Sequence, residues 1–251
     1  MKSKYKEVIM SSLTLLVCPH DTAKEPDRWF RFAQYCSSRL ETSVHFSFCL
    51  DFEDFHQHLE KADIVYANPT DSIRLMKDMG FCLLARPVNQ YDEVLFIANP
   101  QVPNPAFASL QGEKLATVEG LLPTKIALSL LQKHDIQPAG LLGKPSWLSV
   151  VNAVSRGEAN FGIVYKDTYL EMTPKMQALV NAFDSSDEKV AFHSIVLSPR
   201  AIEYRDKLEH LLLTMQTDEK GRNLLSDVHL QGWESVPPED ISTLQSLVLA
   251  S

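Results

Sequence analysis

Residues Leu110–Ile136 read LQGEKLATVEGLLPTKIALSLLQKHDI. The alternating run Lys114–Val118 predicts a strand, Glu119-Gly120 a tight loop, and the segment after it a helix. On that helix Ile126, Ala127, Leu130, Leu131 and His134 share one face, with Lys125, Ser129, Gln132 and Lys133 on the other. Pro123 falls in the first turn, where its missing N–H has no intrahelical partner to lose. The order is that of a βα unit. In open α/β sheets the helix N-terminus at the end of the strand is where ligands, often anions, bind, because several backbone N–H groups point outward there. An ordinary βα unit without a ligand has the same grammar, so the stretch fixes a fold class and leaves the site open.

Upstream, the pattern repeats. Leu13–Cys18 predicts the first strand, ending at Pro19-His20-Asp21-Thr22, and Trp29, Phe32, Ala33, Cys36 and Leu40 mark a helix. Val44, Phe46, Phe48 and Leu50 alternate as a second strand, Asp51–Leu59 is a short helix, and Ile64–Tyr66 a third strand. Asn68-Pro69-Thr70-Asp71 caps a helix through Met79 that Gly80 stops, and Phe81–Ala85 and Val94–Ala98 are further strands. The proline-rich Asn99–Pro105 reads as a boundary.

Downstream, Ser146 caps a helix with Trp147, Val150, Val151 and Val154 on one face, ending at Gly157 before the strand Phe161–Tyr165. Met172–Phe183 has helical spacing, and Val190–Leu197 reads as one long strand. Leu208, Leu211, Leu212 and Met215 form a helical stripe, and two shorter helices follow Asp218 and Pro238. Strands alternating with helices predict mostly parallel sheets with crossover helices. Glu60-Lys61-Ala62-Asp63-Ile64-Val65-Tyr66 is echoed by Gly157-Glu158-Ala159-Asn160-Phe161-Gly162-Ile163-Val164-Tyr165, as two lobes of one plan would leave.

Composition excludes several functions. The chain has 251 residues, 45% hydrophobic and 22% charged, enough for one large or two small domains with a sizeable core. A net charge of -8 with no basic stripe argues against a nucleic-acid partner. No run approaches the ~18 apolar residues that insertion across a membrane requires. Met1–Lys6 is basic like the start of a signal peptide, but Glu7 interrupts it and no small-residue cleavage site follows. As it stands the chain reads as cytoplasmic, and as periplasmic if it is a processed or truncated form. Cys18, Cys36, Cys49 and Cys82 form no CxxC pair and sit in apolar patterns, the setting of small buried thiols.

Taken in order, Ala62–Pro69, Leu110–Val118, Ala153–Asn160, Asp218–Leu225 and Gly232-Trp233 resemble the phosphonate-binding (PhnD-like) branch of the type 2 periplasmic substrate-binding proteins. The resemblance spans nearly the whole chain. It implies a two-lobed α/β fold with two hinge strands, Val94–Asn99 and Phe192–Leu197, closing over a ligand. Lobe one would be residues 1–97 plus 196–251, and lobe two residues 98–195.

The ligand residues of that family carry over poorly. Where it places a Ser-Thr-Ser cluster to hold phosphonate oxygens, this chain has Leu122-Pro123-Thr124. A family tyrosine after the second strand falls on Phe52, another after the Pro69 turn on Ser72, a histidine on Trp147 and a late acidic residue on Tyr165. The expected site therefore comprises Phe52, Tyr66, Asn68, Thr70, Ser72, Tyr91, Thr124, Ser146, Trp147 and Tyr165, with aromatic walls in place of anion donors. Such a site suits a ligand with a flat or apolar part.

No catalytic set and no metal set emerges. The eight histidines show no ligand spacing on one helix face, and no GxSxG, HExxH or phosphate loop is present. The expectation is a non-enzymatic solute-binding protein without a cofactor, taking a small molecule between its lobes and partnered by an ABC transporter or a sensor. The alternative is a cytoplasmic enzyme or sensor domain on the same two-lobed fold.

Overall fold

The computed structural model describes residues 12–22, 26–49 and 51–249, so Met1–Glu7 and Leu50 lie outside the described residues. The chain divides into two compact units, Met1–Gln90 with Phe192–Ile241, and Tyr91–Ala191 with Ser242–Ser251. Among the described residues no helix is long and apolar enough to cross a membrane.

In the first unit β1 (Ser12–Val17) leads through a short helical turn, α1 (Pro19–Thr22), to α2 (Pro26–Leu40). Then follow β2 (Ser43–Ser47), α3 (Phe52–His58), β3 (Ile64–Ala67), α4 (Pro69–Met79) and β4 (Cys82–Pro87). The second unit carries β5 (Val94–Ala98), β6 (Lys114–Thr117), α5 (Leu122–Lys133), β7 (Gly140–Gly143) and α6 (Trp147–Ser155). It continues with β8 (Phe161–Tyr165), α7 (Lys166–Glu171), α8 (Pro174–Gln177) and β9 (Asn181–Ser185). The chain then contributes β10 (Ser194–Leu197), α9 (Arg205–Thr214), α10 (Glu219–Asp227) and β11 (Trp233–Glu234) to the first unit, and ends in α11 (Pro238–Leu249).

The two sheets follow one plan. The first has the order β11-β4-β10-β3-β1-β2 and the second β7-β6-β8-β5-β9. In the first, β1 pairs in parallel with β2 and β3, and β10 runs antiparallel between β3 and β4. In the second, β6 pairs in parallel with β7 and β8, and β5 runs antiparallel between β8 and β9. At the edge of the first sheet β11 also runs antiparallel to β4, so four strands of each sheet share a direction, and a reversed strand is inserted fourth from the same end. The expectation of mostly parallel sheets misses that strand, whose pairing partner is remote in sequence. The sequence echo marks β3 and β8, which hold the same place in their sheets.

Strand alternation puts opposite faces of β1 in separate cores. Leu13, Leu15 and Val17 pack with Trp29, Phe32, Tyr35 and Trp233, whereas Leu16 packs with Phe55, Val65, Leu75 and Val196. Burying each such side chain is worth about 1.5–3 kcal/mol. Gly80 closes α4 with a left-handed φ of 69°, which a side chain rarely adopts. Gly221 answers to space instead: a Cβ there would lie 1.9 Å from the Met215 carbonyl oxygen.

Several expectations are corrected. Met172–Phe183 is not one helix but α8 and β9 with connecting turns. Thr173 caps a new helix at Pro174, and the Gln177 side-chain amide donates to the carbonyls of Tyr169, Leu170 and Met172, closing off the turn before it. The strand expected over Val190–Leu197 begins only at Ser194, and the second strand ends at Ser47, before Phe48. The fourth strand starts at Cys82, one residue after Phe81. His134 lies beyond the buried face of α5, exposed at its C-cap with its ring edge-on to Phe107 at 5.2 Å. β7 and β11 escape the sequence because Gly-Leu-Leu-Gly does not alternate and two residues carry no period.

Candidate functional site

In the second unit β6 ends at Thr117, and the chain turns through Val118–Leu121 into α5. The hydroxyl of Thr124, 2% exposed, donates to the Val118 carbonyl at 2.8 Å and lies 2.7 Å from Thr117 Oγ1. A hydroxyl has one proton, so Thr117 is the donor of the second bond and Thr124 has no proton left for a ligand. The first turn is equally poor in amides. Pro123 has none, and the Thr124 and Lys125 amides donate to the Leu121 carbonyl. Leu121, whose side chain gives no cap, is 45% exposed.

The next two strand ends bring Ser146, Trp147 and Tyr165. Ser146 is an exposed N-cap for α6, accepting the Ser149 amide at 3.2 Å and pairing with the Ser149 hydroxyl at 2.9 Å. Trp147 is half-buried against Val150, Val151 and the rest of this unit's core, and Leu148 beside it is exposed. Tyr165 Oη stands 2.9 Å from Asp92 Oδ1 and 3.2 Å from Asp167 Oδ2. Burial, with those two carboxylates adding, pushes the phenol far above its usual range and keeps it a donor. Tyr91 is half-buried just ahead of β5.

In the first unit the parallel strands end at Val17, Ser47 and Ala67. His20 is exposed on the turn after β1, and its ring stands edge-on to Phe52, 4.7 Å away. Asn68 caps α4 by accepting the Asp71 amide at 2.9 Å, and its own amide donates to Asp71 Oδ2 at 2.7 Å. Asp71, 4% exposed, also meets His56 Nε2 at 3.0 Å. The positive end of α4 is therefore complemented by a carboxylate of its own. Thr70 is exposed on the first turn.

Two expected residues face inward. Tyr66 is 1% exposed, stacked on Trp29 at 4.8 Å and edge-on to Trp233, which makes it core and gives a ligand no wall. Ser72 is fully buried, its hydroxyl 2.7 Å from Ser194 Oγ, and it ties α4 to β10. The sequence pattern cannot distinguish these from exposed residues, because Tyr66 lies near the end of a strand and Ser72 in the first turn of a helix, and neither position says what covers the side chain. His56 and Asp71 were legible only as helix-surface and cap residues, and β10 brings His193 Nδ1 to 3.4 Å from Asp21 Oδ2. In chain order Phe52 follows β2 and Asn68 and Thr70 follow β3 in the first unit, while Thr124 follows β6 and Ser146 and Trp147 follow β7 in the second.

Over residues 16–241 the sequence matches the family described as ABC transporter, phosphonate, periplasmic substrate-binding protein. No curated protein matches the chain. Similar solved structures include XAC2383 of Xanthomonas citri bound to chloride, at 19% identity over 94% of this chain and 96% of that one, with a TM-score of 0.68. PhnD1 of Prochlorococcus marinus MIT 9301, in complex with methylphosphonate, shares 12% identity over 94% and 96%, with a TM-score of 0.66. The periplasmic aliphatic sulphonate binding protein SsuA of Escherichia coli shares 14% over 94% and 89%, with a TM-score of 0.65. These likenesses show the fold, a two-lobed type 2 periplasmic-binding-protein fold. With the family matched over most of its length, the chain belongs to the phosphonate-binding periplasmic substrate-binding proteins of ABC transporters.

Proposed function

We propose that the protein is the non-enzymatic solute-binding component of an ABC transporter, and that its ligand is a neutral or cationic small molecule with a flat or apolar part. The observation that carries this reading is the N-terminus of α5. Leu122 and Pro123 stand where two hydroxyl donors would hold an oxyanion, and the Thr124 hydroxyl is engaged by Val118. A desolvated oxyanion needs several converging donors. Three further features support it: the Asp71 carboxylate at the start of α4, the Asp92 and Asp167 carboxylates around Tyr165, and the exposed Leu121 and Leu148. Each disfavours an anion or favours apolar contact.

Native mass spectrometry of the purified chain would identify a retained ligand, and calorimetry would then compare it with methylphosphonate, phosphate and phosphite. The expected result is a neutral or cationic ligand bound far more tightly than the three anions and recovered chemically unchanged. Micromolar or tighter phosphonate binding, or conversion of the ligand, would overturn the reading.

A further inference from the structure

Two residues beyond the end of β2, Cys49 turns its thiol inward, 1% exposed, against α3. Asp54 and His58 stand one turn apart on that helix, so their side chains lie over one another. His58 Nδ1 is 3.2 Å from Asp54 Oδ1. The ligand atoms of Cys49, Asp54 and His58 all fall within 4.8 Å of each other, and among the described residues no other such group of three forms. We propose that these three side chains form a divalent-cation site of zinc type, independent of the solute reading above.

The geometry is close to what the ion needs. Zinc bonds of about 2.3 Å to sulfur and about 2.0–2.2 Å to nitrogen or oxygen place tetrahedral ligand atoms roughly 3.3–3.6 Å apart. The Asp54–His58 edge is already that short. The remaining contraction needs only rotation of Asp54 and His58, whose side chains are 40% and 43% exposed. The imidazole now has Nδ1 2.8 Å from the Asp54 carbonyl, and it would leave that contact with its proton on Nε2.

The electrostatics favour a cation. The Cys49 sulfur lies within 4.8 Å of an Asp54 carboxylate oxygen, so a thiolate there would face negative charge. A divalent ion reverses the repulsion: the S–H bond breaks, a sulfur–metal bond forms, and the proton leaves to solvent. One thiolate and one carboxylate neutralise the ion, with imidazole as the third ligand. Thiolate and imidazole select zinc over magnesium or calcium, and three protein ligands leave a fourth position for water.

The test uses the full chain, reduced and stripped with chelator. Zinc is titrated by calorimetry in buffers of different ionisation enthalpy, and cobalt(II) by absorbance. The expected result is one ion per chain, at least one proton released per ion, and a thiolate-to-cobalt charge-transfer band. C49S should abolish the band and C82S keep it. H58A and D54N should each weaken zinc binding by at least ~10–100-fold, the range seen even for outer-shell losses. D54N alters an exposed helix position, so it decides the matter if C49S fails to fold. Absence of saturable zinc binding, a band that survives C49S, or unchanged affinity in both H58A and D54N would overturn the proposal.

Discussion

The Thr124 hydroxyl lies 2.8 Å from the Val118 carbonyl oxygen and donates its only proton there. The bond joins the first turn of α5 to the loop that feeds it, and Thr117 completes the pair from the end of β6 at 2.7 Å. A residue that stands where an anion donor is expected is thus a structural tie. Thr124→Val should cost about 1–3 kcal/mol, the penalty for stranding buried polar partners. In urea titrations Thr117→Val should cost less once Thr124 is already valine, because the two hydroxyls share one network. Strict additivity would show that the pair is not coupled.

Restoring donors should restore anions. In L122S/P123T two hydroxyls and one backbone N–H return to the start of α5. Two hydrogen bonds to a charged group, each worth about 1.5–3 kcal/mol, correspond to roughly two to four decades in affinity. Calorimetry with methylphosphonate reads this directly. A folded double variant with unchanged affinity would show that another part of the molecule sets the preference.

The three tryptophans differ sharply in access. Trp29 and Trp233 are 2% and 1% exposed, while Trp147 is half-buried at the start of α6. Acrylamide should therefore quench mainly Trp147, and W147F should leave a blue-shifted emission that resists the quencher. The ligand recovered from the protein should protect Trp147. Trp147→Ala should abolish binding of an aromatic ligand while leaving weak oxyanion binding unaltered.

Asp218 caps α10, and its carboxylate also accepts the Tyr35 hydroxyl at 2.7 Å and the Arg39 guanidinium at 3.1 Å. The Gly221 amide first, then Tyr35 and Arg39, hold its carboxyl below the usual 3.8. A depressed carboxyl stabilises the fold above its unfolded value, and that contribution is lost as pH falls through the folded one. Burial and the Asp218 charge push Tyr35 from 10.0 up to about 12, so its contribution is complete below 10 and lost as pH rises toward 12. Asp218→Asn keeps the cap and removes the charge. Urea midpoints across pH should show a shallower acid limb for this variant, and an identical limb would remove Asp218 from the account.

Local grammar made much of the fold legible. Asn68 and Gly80 delimit α4, Ser146 opens α6, and Trp29, Phe32, Ala33, Cys36 and Leu40 all turn inward on α2, because caps and periodicity act over a few residues. The echo between residues 60–66 and 157–165 identified two strands of equivalent place for the same reason: identical packing asks for similar side chains. The sequence also determined which donors are missing at Leu122 and Pro123, since a leucine or proline side chain offers none wherever it lies.

The engagement of the remaining polar and aromatic groups was settled in three dimensions. Tyr66 became core because Trp29 and Trp233, from a helix and a distant strand, cover it. Ser72 faces Ser194, 122 residues away, and Asp71 meets His56 across two helices. The reversed strand in each sheet, the split of residues 172–183 and the meeting of Cys49 with Asp54 and His58 likewise depend on contacts that have no period. Hydrogen-bond partners are chosen by distance in space, and a single sequence records distance only along the chain.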